Sequence, residues 1–313
     1  MIEIQVSPDS GHLQGKFDLL IVCLGYETRS LYIAEKCREM AKRHLALAFQ
    51  KRLVGNYDYN RSFFEENNFS ILPFDQLEFS YLFNRELIGA ITGLEGRPRI
   101  LVDISSMSRP MIATVAVELG KIATTLGVEV IFVYCPAAFT KPSDIRHPVA
   151  VSQPVIPELA GWSNQPERSV ATIVGLGFEY DQALGAIEYL EPAATWTFIP
   201  FGEDDRFDKA VAVANSDLLV ELTSDRIVYY DVTNPYKCFV ELEALAYGLM
   251  DNMRPIIVPF GPKIFALFAV LIGVIHAPNV TIWRVSGDQN GEREDRVASG
   301  KIISLTTVFS LTS

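Results

Sequence analysis

Apolar runs alternate with amphipathic stretches along the chain. Residues 18–24, DLLIVCL, are almost entirely apolar, as is typical of a strand buried on both faces of a sheet. From Pro110 to Leu126, apolar residues recur every three or four positions, which predicts a helix with Pro110 in its first turn and Gly127 as its C-cap. Residues 128–134 predict the next strand. A strand, a helix and a strand at this spacing predict a crossover that joins two parallel strands.

The same alternation predicts most of the remaining elements, whereas residues 55–85 show no clear period. Strands are predicted at 45–49, 99–104, 170–175, 195–199, 227–232, 255–259 and 279–285, with an edge strand of the second half at 301–309. Helices are predicted at 30–40, 180–190, 236–250 and 263–275. The fold class predicted is therefore α/β, with two tandem Rossmann-like three-layer domains whose sheets are mostly parallel.

The sequence contains an internal repeat. Residues 18–30 and 170–182 both carry an apolar run and then a Leu-Gly-aromatic-Glu tetrad, which ends in Glu27 and in Glu179. Self-similarity of this kind is the signature of a duplicated structural unit.

A second pair of segments follows in the same order. Residues 99–110, RILVDISSMSRP, share with residues 226–237, RIVYYDVTNPYK, a strand-like run, an acid, a hydroxyl residue and a helix start. The aligned residues are Asp103 with Asp231, Ser105 with Thr233, and Arg109 with Lys237. Two such pairs predict that the domains arose by internal duplication.

The length of 313 residues suits two domains of ordinary size. Residues 148–168 contain four prolines and little periodicity, as is typical of a linker. The predicted limits are 1–150 for the N-terminal domain, 151–168 for the linker and 169–313 for the C-terminal domain.

Composition limits the function classes. Hydrophobic residues make up 49% of the chain and charged residues 21%, which excludes a largely disordered protein. A net charge of -11 disfavours an extended nucleic-acid surface, although a local basic pocket for one small anion stays open. The sequence has no GxGxxG dinucleotide loop, no phosphate loop and no GxSxG nucleophile elbow.

The cysteines and the apolar runs predict the compartment. Four cysteines without CxxC spacing are typical of buried reduced thiols, and the N-terminus lacks the apolar core of a signal peptide. The membrane-like run at 264–275 has twelve residues, too few to span a bilayer. We therefore predict a cytoplasmic protein with no membrane partner. We predict no cofactor and no metal, and interpret the acidic run 203–205 as a solvated loop. The alternative is that the carboxylates of this run bind a metal ion.

The turn DISSMSRP carries the first group of candidate site residues. Ser105, Ser106, Ser108 and Arg109 lie between a strand end and a helix start, where free N–H groups and hydroxyls suit an anion such as a phosphate. The alternative is structural: Ser108 caps the helix, Asp103 fixes the loop and Arg109 is solvated.

The loop after the first strand carries the second group, which consists of Gly25, Glu27, Thr28 and Arg29. Glu27 could bind ribose hydroxyls, act as a general base or cap the next helix. Ligands of open parallel sheets bind beyond the carboxyl ends of the strands, so we expect this loop to face the Asp-bearing loop in each half.

The second half offers a parallel set. Asn234 before Pro235 is a strong helix-start signal, with the asparagine as N-cap. This signal explains both residues without a ligand. The candidate ligand-binding residues of this half are Glu179, Asp231, Thr233, Asn234 and Lys237.

The segment VDISSMSRPMIATVAVELGKIATTLGVEVIFVY, residues 102–134, resembles the ligand-binding core of the CRISPR-associated Rossmann fold (CARF) domains. The resemblance implies that the serine turn holds the phosphates of a cyclic oligonucleotide messenger and that the Gly25 loop completes the site. It also implies a role in antiviral defence or signalling, and a homodimer or, in a duplicated chain, a pseudo-dimer. This turn has serines and a methionine where the family commonly has paired glycines and a lysine.

Three function classes remain. The first is a sensor module that binds a nucleotide or a cyclic oligonucleotide. The second is a hydrolase or transferase acting on a nucleotide or phosphosugar, with Glu27 as base or ribose ligand, Asp103 as orienting acid and Arg109 as anion clamp. The third is a protein-interaction module.

Overall fold

The chain divides into two compact units. The computed structural model describes residues 2–8, 13–50, 54–74, 78–123, 127–142, 149–161, 165–287 and 295–311. The N-terminal unit is Met1–Ala138 with Arg293–Ser313, and the C-terminal unit is Phe139–Glu292. In sequence, the C-terminal unit is therefore an insertion into the N-terminal one.

Strands and helices alternate in both units. In chain order, the strands are β1 (Ile2–Val6), β2 (Phe17–Leu24), β3 (Ala41–Ala48), β4 (Ser70–Pro73), β5 (Arg99–Asp103), β6 (Val128–Tyr134), β7 (Val149–Pro154), β8 (Val170–Gly175), β9 (Ala194–Phe201), β10 (Ile227–Asp231), β11 (Arg254–Pro259), β12 (Thr281–Gly287) and β13 (Ile303–Leu311). The α-helices are α1 (Tyr32–Cys37), α2 (Tyr57–Glu66), α3 (Phe79–Ile91), α4 (Arg109–Ile122), α5 (Gln182–Leu190), α6 (Asp205–Ala214), α7 (Ser216–Glu221), α8 (Pro235–Leu249) and α9 (Lys263–Ile275).

The sheet of the N-terminal unit has the strand order β1-β13-β6-β5-β2-β3-β4. Strands β2 to β6 are mutually parallel, whereas β13 is antiparallel to β6 and β1 is antiparallel to β13. Counted from β2, the five parallel strands follow the Rossmann order 3-2-1-4-5. The order reverses between β2 and β5, and this gap is the switch point where ligands of such sheets bind.

Helices cover both faces of this sheet. On one face, Leu20 and Val22 of β2 belong to a buried cluster with Ile33 of α1 and Phe64 of α2. On the other face, α3 packs against α4, and Cys23 of β2 reaches the α4 sulfur of Met111. A strand buried on both sides must be apolar at every position, which explains the unbroken run that predicted β2.

The C-terminal unit repeats this plan with the order β10-β9-β8-β11-β12-β7. Strands β8 to β12 are parallel and again follow the order 3-2-1-4-5, so the predicted α/β class with two mostly parallel sheets is confirmed. Val174 of β8 packs with Ala183 of α5 and Val211 of α6 on one face, while α8 and α9 pack together on the other. Within the described ranges, no helix is long and apolar enough to cross a membrane.

Two predicted positions at the ends of the C-terminal domain are wrong. The segment 301–309 was expected as an edge strand of the second half, but β13 lies between β1 and β6 in the first sheet. The predicted linker 151–168 contains most of β7, which pairs antiparallel with β12. The one proline of β7, Pro154, is compatible with pairing because β7 is an edge strand. Non-local strand pairing of this kind leaves no periodicity that a local pattern can reveal.

The first repeat is structurally equivalent in the two units, but the second is not. Strands β2 and β8 both occupy the central position, so Glu27 and Glu179 follow matching strands. Asp103 follows β5, next to β2, whereas Asp231 follows β10 at the sheet edge, and the positional counterpart of β5 is β11. Asp103 and Asp231 each accept hydrogen bonds from the backbone N–H and the side-chain hydroxyl of the residue two positions later in the chain. This common Asx turn explains the similar sequences without common ancestry of the two strands.

Helix α4 is shorter than the pattern 110–126 predicts. It begins at Arg109 and ends at Ile122, with Ala123 as C-cap, and residues 124–126 lie outside the described part of the chain. Gly127 is not the C-cap. Its φ of 75° places it in the left-handed region, where it leads directly into β6.

Candidate functional site

The loops after β2 and β5 meet at the switch point of the N-terminal unit. The two strands are parallel neighbours, with Ile21 opposite Val102. A Cβ atom added to Gly25 would lie 3.6 Å from the Cβ of Ser106. The thiol of Cys23 lies 3.4 Å from the carbonyl oxygen of Ser106. The two candidate groups identified in the sequence of the first half are thus adjacent.

The side chain of Asp103 fixes the loop after β5 through hydrogen bonds. Its carboxylate is buried and accepts hydrogen bonds from the Ser105 N–H at 2.9 Å and the Ser105 hydroxyl at 2.5 Å. The Ser105 oxygen in turn accepts from the backbone N–H of Cys135 at 2.8 Å. Burial raises the pKa of Asp103 from 3.8 to about 6, although the Ser105 hydrogen bonds and the Arg29 charge act in the opposite direction.

Glu27 and Arg29 form a largely buried ion pair. The Arg29 Nε donates to Glu27 Oε2 at 2.6 Å, and both side chains have little exposure to solvent. Burial alone lowers the pKa of the Arg29 guanidinium, but the negative charge of Glu27, its hydrogen bond to Arg29 and the charge of Asp103 outweigh burial and raise the pKa. The pair therefore holds the first loop against the buried Asp103.

Thr28 is held by the C-terminal part of the N-terminal unit. Its N–H and hydroxyl donate to the two carboxylate oxygens of Asp295 at 2.7 Å and 2.5 Å. Asn56 donates to the Thr28 hydroxyl at 2.9 Å and to Asp295 at 3.2 Å. Three of the four predicted residues of this loop, Glu27, Thr28 and Arg29, are thus engaged within the protein.

Two hydroxyls beside Gly25 have no partner among the described residues. The Oγ of Ser30 is buried, lies 2.9 Å from the position of a Cβ on Gly25, and makes no hydrogen bond. The Oγ of Ser106 is also buried and makes none. A buried hydroxyl without a partner is costly unless water or another polar group satisfies it.

The amino-terminal end of α4 closes this side of the site. Ser108 accepts from the N–H of Met111 at 3.3 Å and has Pro110 after it, so the predicted cap is confirmed. Arg109 is the first residue of the helix and is partly exposed. The positive end of the helix dipole therefore lies at the loop that contains Ser106.

Asn60 is a residue that the sequence analysis missed. It lies in α2, is buried, and donates to the carbonyl oxygens of Gly25 and Glu27 at 2.9 Å and 3.0 Å. Its α2 segment has no clear period, so no sequence signal singled it out. The buried Asn215, at the end of α6, donates in the same way to the carbonyl oxygen of Gly177 at 2.7 Å. A buried asparagine thus fixes the first loop in both units.

The switch point of the C-terminal unit is closed by its own backbone. A Cβ on Gly177 would lie 2.7 Å from the backbone nitrogen of Gly261, and one on Gly261 would lie 2.3 Å from the carbonyl oxygen of Leu176. The Glu179 carboxylate lies over Gly177, with one buried oxygen that has no hydrogen-bond partner among the described residues. The backbones of the two loops are therefore in close contact at Gly177 and Gly261.

The other candidates of the second half surround a separate cavity. Asp231, Asn234 and Lys237 line a space of about 180 Å³ at the carboxyl ends of β9 and β10. Asn234 accepts from the N–H of Lys237 at 3.2 Å, which confirms its predicted role as N-cap, and Thr233 donates to Asp231. The expectation that this loop faces the Glu179 loop is wrong, because β9 lies between β8 and β10.

The acidic run of the C-terminal unit serves a helix. Asp204 caps α6 by accepting from the N–H of Arg206 at 3.2 Å, and it also pairs with the Arg206 guanidinium. In the part of the chain that the structure describes, no group of three or more histidine, cysteine, aspartate or glutamate side chains is arranged to hold a metal ion.

Comparison with known proteins adds no family. The chain matches no protein-family model, and a search of the curated proteins finds no match.

Proposed function

We propose that the N-terminal unit binds a small anionic ligand, a nucleotide or a cyclic oligonucleotide, between the ends of β2 and β5 and acts as a sensor. The proposal is supported by two buried hydroxyls beside Gly25 at the switch point, those of Ser30 and Ser106, which have no hydrogen-bond partner in the part of the chain that the structure describes. A phosphate oxygen is an acceptor that both hydroxyls can serve.

Three features around these hydroxyls favour a phosphate. Gly25 has no side chain, so a ligand can approach the backbone closely. The amino-terminal end of α4 supplies a positive dipole, and Arg109 supplies a charge at its first position. The resemblance of residues 102–134 to CARF domains supports a cyclic oligonucleotide in particular, and with it a role in defence signalling and a dimer.

The distribution of charge also favours the N-terminal unit. The C-terminal unit carries 20 of the 38 acidic residues of the chain but only 10 of its 27 basic residues. Almost all of the net charge of -11 therefore lies in residues 139–292. An anion meets less repulsion at the nearly neutral N-terminal unit.

Binding is favoured over the alternative of hydrolysis or group transfer. A general base needs access to the proton that it removes. Glu27 is paired with Arg29, and Asp103 is buried beneath the Ser105 loop. Both acids therefore have the surroundings of residues that position a loop.

Isothermal titration calorimetry with pyrophosphate, AMP, ATP and cyclic tri- and tetra-adenylate tests the proposal. We expect binding by at least one of these probes, and a loss of affinity of about tenfold in Ser106→Ala, since a hydrogen bond to a charged group is removed. Gly25→Ala should weaken binding as well, because its Cβ enters the space beside Ser30.

The matched control is Ser62→Ala, which removes an exposed hydroxyl from α2 in the same unit. It should leave the affinity unchanged. Absence of binding by every probe, or equal affinity in Ser106→Ala and the unaltered protein, would contradict the proposal.

A further inference from the structure

Residues 295–300 form a strap along the carboxyl edge of the N-terminal sheet. Near the end of β6, Ala298 bridges to Ala137, and the N–H of Ala138 donates to Val297 at 2.8 Å. In the loop after β2, the N–H of Arg29 donates to the carbonyl oxygen of Arg296 at 3.0 Å. Strand β5 lies between β6 and β2, so the strap passes across the end of β5.

The strap therefore connects the loop after β2 with the segment after β6, the two strands that flank β5. Its burial alternates: Arg296 and Ala298 are partly buried, whereas the residues on either side of them are exposed. Such alternation is typical of an extended segment that lies on a surface with one side inward. The fully buried Ser30 lies beside the residues that the strap contacts. Because the Ser30 hydroxyl is buried, a ligand reaches it only when a neighbouring segment moves, and the strap is one such segment.

Asp295 is the strongest attachment of the strap to the first loop. It accepts from both the N–H and the hydroxyl of Thr28, and from the side chain of Asn56. These bonds lie at the protein surface, where water competes for the same groups. An attachment of this kind holds the strap down and can still be released without unfolding the sheet.

We propose that residues 295–300 are a latch over the switch-point site, held by Asp295 on Thr28, and that its release admits the ligand. The gating role rests on the proposed function, whereas the opening of the latch is a property of the protein without ligand.

The rate at which the Cys135 thiol is alkylated measures the opening of the latch. Its side chain is buried, and its thiol contacts Ser299 and Gly300 of the strap, while Cys238 is buried in the C-terminal unit. Alkylation of the full-length protein with N-ethylmaleimide, followed by mass spectrometry of its peptides, gives the rate at each thiol separately. We expect Asp295→Ala to accelerate the modification of Cys135 about fivefold and to leave Cys238 unchanged. Thr28→Val should act in the same direction.

Asp58→Asn is the matched control, because it removes an exposed acid from the same unit without removing a side-chain hydrogen bond that holds the strap. An unchanged rate at Cys135 in Asp295→Ala overturns the latch. Equal acceleration at Cys135 and at Cys37, which is buried in α1 of the same unit, also overturns it, since that result means destabilisation of the whole N-terminal unit.

A second measurement separates the latch from the proposed function. Stopped-flow binding of the probe identified by calorimetry should be faster in Asp295→Ala, and equal association rates overturn the gating role. If no probe binds while Cys135 alone is accelerated, the proposed function fails and the opening of the strap is supported.

Discussion

The buried side-chain amide of Asn60 donates a 2.9 Å hydrogen bond to the carbonyl oxygen of Gly25. Asn215 repeats this bond to Gly177 in the C-terminal unit. In both units the donor comes from the helix that follows the second parallel strand, and the acceptor follows the first. The two units therefore share a tertiary contact between distant segments as well as the Leu-Gly-aromatic-Glu tetrad.

Asn60→Ala should destabilise the N-terminal unit by about 2 to 3 kcal/mol, because the buried carbonyl oxygen of Gly25 and the partly buried one of Glu27 lose their donor. Urea unfolding followed by circular dichroism measures this change. Ser62→Ala, on the same helix, removes an exposed hydroxyl and should change the free energy of unfolding by less than about 0.5 kcal/mol. Equal effects of the two substitutions would show that the Asn60 hydrogen bonds contribute little.

Asp103 should make stability depend on pH. Burial raises its pKa in the folded protein to about 6, above the 3.8 of the unfolded chain, so the folded state binds the proton more tightly. The resulting stabilisation is fully present below pH 3.8 and is lost as the pH rises through 6. The loss amounts to about 3 kcal/mol.

Asp103→Asn tests this dependence because the amide does not titrate. The free energy of unfolding of the unaltered protein, relative to that of Asp103→Asn, should fall between pH 4 and pH 7 by about 3 kcal/mol. Urea titrations at several pH values give this difference. A difference that stays constant over the range would mean that Asp103 titrates normally.

The buried Glu27–Arg29 pair should show strong coupling. Arg29→Met leaves the Glu27 and Asp103 carboxylates without their cation and should cost about 3 kcal/mol or more. Adding Glu27→Gln should recover part of this loss. In a double-mutant cycle, the exposed Arg61–Glu65 pair of α2 is the control, with a coupling of about 0.5 kcal/mol or less. Similar coupling energies for the two pairs would contradict the importance of burial.

Alanine substitutions at Gly127 and Gly93 distinguish the cost of backbone strain from the cost of steric overlap. Both have positive φ values, 75° and 79°, but a Cβ on Gly127 would lie 3.1 Å from the carbonyl oxygen of Phe309, whereas one on Gly93 meets nothing within 4 Å. Gly93→Ala should cost about 1 kcal/mol through strain alone. Gly127→Ala should cost more, and calorimetric melting measures both. Equal losses would mean that β13 moves aside freely.

Local patterns predicted the fold class and the central strands because burial on both faces demands continuous apolar runs. Strand β6 and helix α9 match the predicted limits 128–134 and 263–275. The elements within 55–85 were not predicted, since α2 presents only Tyr57, Asn60 and Phe64 to the interior. Few buried positions give a weak periodicity.

The candidate site was predicted in part. Ser106 and Gly25 were selected from their places at strand ends, and the structure brings them together. The predicted equivalence of Asp103 and Asp231 is wrong, because an Asx turn produces a similar sequence at the end of any strand. Ser30 and Asn60 could not be identified from the sequence, because their properties depend on tertiary contacts. The Ser30 hydroxyl is buried by distant segments, and Asn60 donates to the carbonyl oxygen of a residue far away in the chain.

The position of β13 between β1 and β6 has a consequence for biosynthesis. Residues 139–292 are contiguous and leave the ribosome before β13, so the C-terminal unit can fold while the N-terminal sheet still lacks an interior strand. At the translation rates of bacteria or eukaryotes, β13 is synthesised about 10 to 30 seconds after β6. During that interval the open edge of β6 is exposed to other nascent chains, and we expect chaperones to bind there.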